Sequence, residues 1–293
     1  MVHRRATMKV SGFSFLKNGQ MLGYPFIESI RSVLPIVDEF IIALGPCDDN
    51  TQSMLEALHE SKIKIIHTHW NDTMQDRGYV YGQQKMIAQF NCTGDWVFYV
   101  EADEVIHEDD IATIYHSMQK YVDDEDVEAL VFDYLHFYGN QNSYVWSPGW
   151  YRRAPRILKN SIRSYAPDGL FWLVLDKNKI GRYPKAALVG ATIYHYGWIR
   201  SEKQMNLKSK QVQKYWNKSH DDIDYSQINQ KIIREFSGTH PKWVKDWLEP
   251  AEGIYIADKK YKLSKKEKKH MWMLKLEKIF KLELSKKHYT LVC

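Results

Sequence analysis

The chain is poor in cysteine. Its three cysteines, Cys47, Cys92 and Cys293, are far apart and odd in number among 293 residues. This excludes a disulfide framework and the paired spacing of a zinc module, and it points to a reducing compartment. No apolar run approaches the ~20 residues of a membrane-spanning helix. The opening residues, Met1-Val2-His3-Arg4-Arg5-Ala6-Thr7, lack the apolar core of a secretory leader, and Met8 offers an alternative start. A cytoplasmic chain is the expectation. No G-x-G-x-x-G follows the first predicted strand, so the dinucleotide fingerprint is missing. There is no internal repeat, and no low-complexity stretch before a lysine-rich tail.

Aromatic residues are abundant, with 10 Trp and 19 Tyr. They suit a core, and equally a cleft that stacks flat ligands. The net charge of +5 is unevenly placed: residues 251–293 hold 12 Lys against 5 Asp/Glu, so residues 1–250 carry a net −2. The basic character belongs to the tail.

The first half alternates strand and helix patterns. Residues 9–15, 39–44, 62–67 and 96–100 read as strands. Residues 24–34, a segment capped by Asn50 or Thr51, and residues 77–90 read as helices. This order predicts an α/β fold with a mixed, mainly parallel sheet flanked by helices. Residues 127–137 read as another strand. The second half is less regular, and helix returns at 201–216. The expected organisation is one domain over 8–250, with a nucleotide-binding half (8–105), an acceptor-side half (106–200) and a helical part (201–250). A basic amphipathic tail follows over 251–293.

The most informative stretch is Trp96-Val97-Phe98-Tyr99-Val100-Glu101-Ala102-Asp103-Glu104. An apolar run of strand type ends in three acids within four positions. Acids at the carboxyl end of a buried strand emerge where open α/β sheets bind ligands. Their charge calls for a compensating cation, and a hard divalent metal can carry a diphosphate on its other face.

Four features in order resemble the family 2 glycosyltransferases with a GT-A fold, particularly bacterial enzymes that extend lipopolysaccharide cores and capsules. They are a first strand running into Lys17-Asn18-Gly19, the loop Gly45-Pro46-Cys47-Asp48-Asp49-Asn50-Thr51, the helix opened by Arg77 with Gln84 and Ala88, and Glu101-Ala102-Asp103-Glu104 as a DxD motif. Two departures stand out. The acid that many members place near Leu44 for the nucleobase is missing, and the first acid of the motif is Glu. The resemblance implies a metal-dependent, inverting transfer of a sugar, a hexose by default, from a UDP-sugar to a glycan or lipid-linked acceptor. It places Phe15, Lys17, Asp49, Arg77, Lys85 and Glu101 against the nucleotide donor. Asp103 would hold Mn²⁺ or Mg²⁺, with Glu104 and Glu101 as alternates and His195 as a distant second ligand. Asp168 would be the general base, with Asp133 and Asp176 as rivals.

Each assignment has a plainer counterpart. An acidic turn can be merely solvated, His195 can be a core histidine, and Pro167-Asp168-Gly169 is an ordinary turn sequence. Arg152, Arg153 and Arg156 form a dense cluster that could bind an anionic acceptor or diphosphate. Trp146, Trp150 and Trp172 could pack on sugar or on the core. Residues 259–287 combine lysines with Met273, Leu276, Phe280 and Leu284 at helical spacing. They read either as a docked basic helix or as a peripheral contact with an anionic inner membrane face. Two other readings stay open: a sugar nucleotidyltransferase, disfavoured by a first loop poor in glycine, and a module binding nucleic acid or an anionic surface. Nucleic acid is not an expected partner, because the body is acidic.

Overall fold

The computed structural model describes residues 8–217 and 222–292. Met1–Thr7 and Cys293, which the readings of leader and cysteine use, lie outside the described residues. Cys47 and Cys92 are free thiols.

Four strands, β1 (Val10–Leu16), β2 (Glu39–Leu44), β3 (Ile63–His67) and β4 (Trp96–Tyr99), alternate with helices α1 (Phe26–Val33), α2 (Thr51–Glu56) and α3 (Tyr79–Phe90). They pair in parallel in the order β4-β1-β2-β3. All six residues of β2 are buried, as an interior strand of a covered parallel sheet requires. Its side chains alternate: Phe40, Ile42 and Leu44 join one core cluster with α1, while Ile41 and Ala43 join another with α3. Neither Asn50 nor Thr51 caps α2 with its side chain. Asp49 takes that part by accepting the Thr51 N–H at 3.0 Å.

The second half is richer in strand than its sequence suggests. It contains β5 (Glu104–Ile106), α4 (Ile111–Tyr121), β6 (Ala129–Tyr138), β7 (Asn140–Val145) and β8 (Arg153–Lys159). A small separate sheet follows, of β9 (Ser164–Tyr165), β10 (Leu173–Leu175) and β11 (Gly181–Arg182). Then come β12 (Lys185–Trp198), α5 (Glu202–Trp216), β13 (Ile233–Glu235), α6 (Lys265–Phe280) and β14 (Thr290–Leu291). β8 joins β4 antiparallel and continues the sheet through β6, and the 14-residue β12 runs parallel to β6. The expected irregularity arose because Trp, Tyr, Arg and Pro interrupt the period-2 pattern. Several of them, Trp146, Trp150 and Trp172 included, lie in the loops between the strands. The fold is therefore the expected α/β, GT-A-type mixed sheet with flanking helices.

The tail is helical only over α6. Met271 and Leu274 face the body, Phe280 is 63% exposed, and Leu284 lies beyond the helix. The predicted stripe of Met273, Leu276, Phe280 and Leu284 is thus not the docked face. Thr290 and Leu291 return to pair with Lys185 and Ala186 at the start of β12.

Candidate active site

The chain leaves β4 through a tight turn closed by Glu104 N–H donating to the Glu101 carbonyl at 3.1 Å. The turn sends its acids to opposite sides. Glu104 is fully buried and turns inward to Arg156 of β8: Nε to Oε2 is 2.9 Å and Nη2 to Oε1 is 2.7 Å. Tyr134 OH donates to the same carboxylate at 2.9 Å. Arg156 Nη2 also reaches Glu101 Oε1 at 2.9 Å. Glu104, with both oxygens occupied, is therefore not placed to ligate a metal. Burial, with the Glu104 charge beside it, pushes the Glu101 carboxyl up to about 8 despite Arg156.

Asp103 points the other way, into a cavity of about 430 Å³. Its Oδ2 accepts from Lys208 Nζ of α5 at 2.9 Å, and its Oδ1 lies 3.6 Å from His195 Nε2 of β12. Burial alone would raise its pKa, but the Lys208 ammonium, by charge and by hydrogen bond, holds it down at about 2.

Hydrogen bonding fixes the form of His195. His136 Nε2 lies 2.7 Å from the Tyr151 carbonyl, which can only accept, so that nitrogen carries a proton. Burial holds His136 well below the ordinary histidine range, so it is neutral and its Nδ1 accepts. The partner at 3.0 Å is His195 Nδ1, which must then donate. Burial also lowers the His195 pKa. His195 Nε2 is left with a lone pair facing Asp103.

Phe15, Lys17, Glu101, Asp103 and His195 all line the cavity. Four other expected residues do not. Asp49 is a loop pin, accepting from Met21 N–H at 2.7 Å as well as from Thr51. The Arg77 side chain is 90% exposed. Lys85 is fully buried, its Nζ 3.3 Å from the Trp172 ring centroid and donating to the Gly169 carbonyl at 3.0 Å. Asp168 is half-buried with its Oδ1 accepting from Leu170 N–H at 2.7 Å, and its turn presents Gly169 and Leu170 to the cavity instead. Burial raises the Asp168 carboxyl. Its rivals are paired elsewhere, Asp133 with Arg153 at 2.6 Å and Asp176 with Arg182 at 2.8 Å. The arginine cluster is not free for an acceptor either. Arg152 pairs with Glu277, Arg153 with Asp133 and Glu283, and Arg156 with Glu101 and Glu104. Trp150 lines the cavity, Trp172 is core, and Trp146 lies under the guanidinium of Arg152.

Sequence reasoning missed Lys208, His136 and an aromatic wall. Phe15, Trp70, Tyr81 and Tyr215 meet at centroid distances of 5.3–6.2 Å. Trp70 lies over Gly45, where any Cβ would collide with its indole, just past the Leu44 position that lacks an acid. Apart from Phe15, which the resemblance places at the donor, none of these residues carried a local signal, since each is useful only through neighbours from distant elements.

Residues 24–173 match the sequence model described as Glycosyl transferase family 2. The chain belongs to this family. A curated glycosyltransferase of Rickettsia typhi is 27% identical over 208 residues, 68% of this chain and 63% of the relative. The chain thus spans less than two thirds of that relative's length. Among solved structures, residues 1–349 of S. aureus TarS in complex with UDP have a TM-score of 0.42 at 15% identity, over 70% of this chain and 64% of that fragment. Glucosyl-3-phosphoglycerate synthase from Mycobacterium tuberculosis, solved with Mn²⁺, UDP-glucose and phosphoglyceric acid, has a TM-score of 0.32 at 15% identity, over 44% of this chain and 45% of that one.

The donor atoms suit a shared cation site rather than an all-protein cage. Among the described residues, no group of three or more His, Cys, Asp or Glu converges to hold a metal. Asp103 Oδ1 and the His195 lone pair supply two donors that a diphosphate would complete; the carboxylate with phosphate oxygens suits Mg²⁺, whereas the imidazole does not favour it. Imidazole beside carboxylate is acceptable to Mn²⁺.

Proposed function

We propose that the protein transfers a hexose from a UDP-sugar to a glycan or lipid-linked acceptor, with inversion and with the help of Mn²⁺ or Mg²⁺. The carrying observation is the pairing of an ionised, buried Asp103 with a neutral His195 in a cavity that also has an aromatic wall. Phe15, Trp70, Tyr81 and Tyr215 offer flat surfaces to a nucleobase. Asp103 and His195 would hold the ion, which would neutralise the leaving diphosphate as a Lewis acid. Lys208 adds positive charge at the same point. Asp168 is the base that the resemblance implies: its carboxyl is raised by burial, and because it sits behind Gly169 and Leu170, the part proposed for it requires that turn to bring the carboxylate to the acceptor. Lys17 and Glu101 would face the donor. Membership in the family sets aside the nucleotidyltransferase and binding-module readings. Among the described residues no helix is long and apolar enough to cross a membrane.

A ligand that binds only the folded protein raises its melting temperature. UDP or a UDP-sugar with Mn²⁺ is expected to raise it more than either alone. No shift with any nucleoside diphosphate, with or without metal, overturns the proposal.

His136 is expected to act by orienting His195. His136→Leu removes the acceptor at Nδ1 and should weaken Mn²⁺ binding in the presence of UDP by about tenfold. His136→Asn, which restores an acceptor oxygen, should recover part of it. Paramagnetic titration of Mn²⁺ reads this directly. Equal affinity in wild type and His136→Leu would remove the positioning role.

A further inference from the structure

The lysine-rich segment sorts its charges by side. Residues 259–287 contain all 12 lysines of the tail and only three acids, Glu267, Glu277 and Glu283. Each acid is already engaged, Glu267 by the cap of its own helix and the other two by arginines of the body. Glu267 accepts from Ser264 N–H at 2.8 Å and from Tyr261 OH at 2.8 Å. Glu277 pairs with Arg152, and Glu283 lies 3.2 Å from Arg153 Nη1. All six lysines of α6 are exposed.

The exposed face is also apolar. Trp272 is 61% exposed, Ile279 69%, Phe280 63% and Leu282 60%. Lys268, Trp272, Lys275 and Ile279 are spaced i, i+4, i+7 and i+11, so they form one stripe. The opposite face holds Glu267, His270, Leu274 and Glu277. A Cβ on Gly149 would lie 2.6 Å from the His270 ring, and Leu274 packs on the cluster containing Tyr138 and Val145. Gly149 and Trp150 also wall the cavity. The inner face of α6 therefore supports the wall of the site, and its outer face is unpartnered among the described residues.

We propose that this outer face, α6 with the turn through Leu282, docks on an anionic lipid bilayer. Lysines beside Trp, Ile, Phe and Leu match both layers of such a surface. The ammonium groups meet lipid phosphates, and the apolar groups enter the boundary beneath them, where Trp is favoured. A nucleic acid would satisfy the lysines but would give Ile279 and Leu282 nothing to enter. Docking would hold the Gly149–Trp150 wall close to the membrane surface. That consequence rests on the lipid-linked acceptor proposed above, whereas the docking itself does not.

Flotation of the full chain with vesicles tests it. Binding is expected to vesicles of phosphatidylcholine mixed with phosphatidylglycerol, and not to phosphatidylcholine alone. Trp272→Ser/Ile279→Ser/Phe280→Ser should weaken binding at least tenfold, and Lys268→Gln/Lys275→Gln/Lys278→Gln should do the same. These side chains are exposed, so melting temperature and donor hydrolysis in solution should stay as in the wild type. Those two readouts separate failure of docking from failure of the proposed activity. The proposal is overturned if neither vesicle binds, if both bind equally, if either variant binds as wild type, or if duplex DNA displaces the protein from anionic vesicles.

Discussion

Replacing Asp103 with Ala should lower turnover of a UDP-sugar by about 10³-fold, in the range seen when one preorganised electrostatic contact is removed from an active site. Asp103 is the only acid of the Glu101–Glu104 turn that faces both His195 and Lys208. Its ionised state depends on Lys208, whose ammonium holds it at about 2 against the effect of burial. The substitution removes the charge and leaves Lys208 Nζ, among the described residues, with the Gly197 carbonyl at 3.2 Å and the Tyr24 ring, 4.6 Å from its centroid. Asp103→Asn should fail nearly as badly, because it keeps the shape and loses the charge. Glu101→Gln should cost less, since Arg156 and Glu104 keep each other in place without it. The measurement is UDP release from a UDP-sugar, with a melting curve to show that the variant folds. Activity of Asp103→Ala within tenfold of wild type would sink the assignment.

The second large effect is on stability. Arg156 is 1% exposed and is shared by the fully buried Glu104 and the partly exposed Glu101. Breaking a buried ion pair from one side leaves an uncompensated charge and costs about 3–5 kcal/mol. Arg156→Met should therefore lower the melting temperature by roughly 10 °C for a domain of this size. Removing Glu104 together with Arg156, as Arg156→Met/Glu104→Leu, should recover most of the loss. The pH dependence has a definite sign. Without the guanidinium, the burial that already raises the Glu101 carboxyl is less opposed, so its folded pKa lies further above the unfolded one. The variant's stability is then fullest below the unfolded value and is lost as pH rises. Its deficit relative to wild type should be smaller at pH 5 than at pH 8. A deficit independent of pH, or a double variant no better than the single one, would count against this account.

The legibility of this chain follows the range of the interactions involved. Strand and helix alternation over residues 9–100 is written in local periodicity, because a buried strand or an amphipathic helix must repeat its pattern within a few residues. The end of β4 was equally legible: a run of large apolar residues cannot continue through three acids, so the chain must leave the core there. The order of the motifs also identified the family.

The division of labour among those acids was not legible. Glu104 and Arg156 are 52 positions apart, and Asp103 and Lys208 are 105 apart. No local pattern tells which carboxylate turns inward to an arginine and which outward to a lysine. The same holds for Lys85, which looks like a surface cation on an amphipathic helix until Tyr99 and Trp172 close over it, and for Arg152, Arg153 and Arg156, which look like an anion site until each finds its acid. By itself the sequence determined a strand that delivers negative charge to the sheet edge of an α/β, family 2 protein. Only the tertiary structure decided that Asp103 carries that charge into the cavity, because charge and hydrogen-bond pairing in a buried site depend on which side chains from distant strands arrive at the same point.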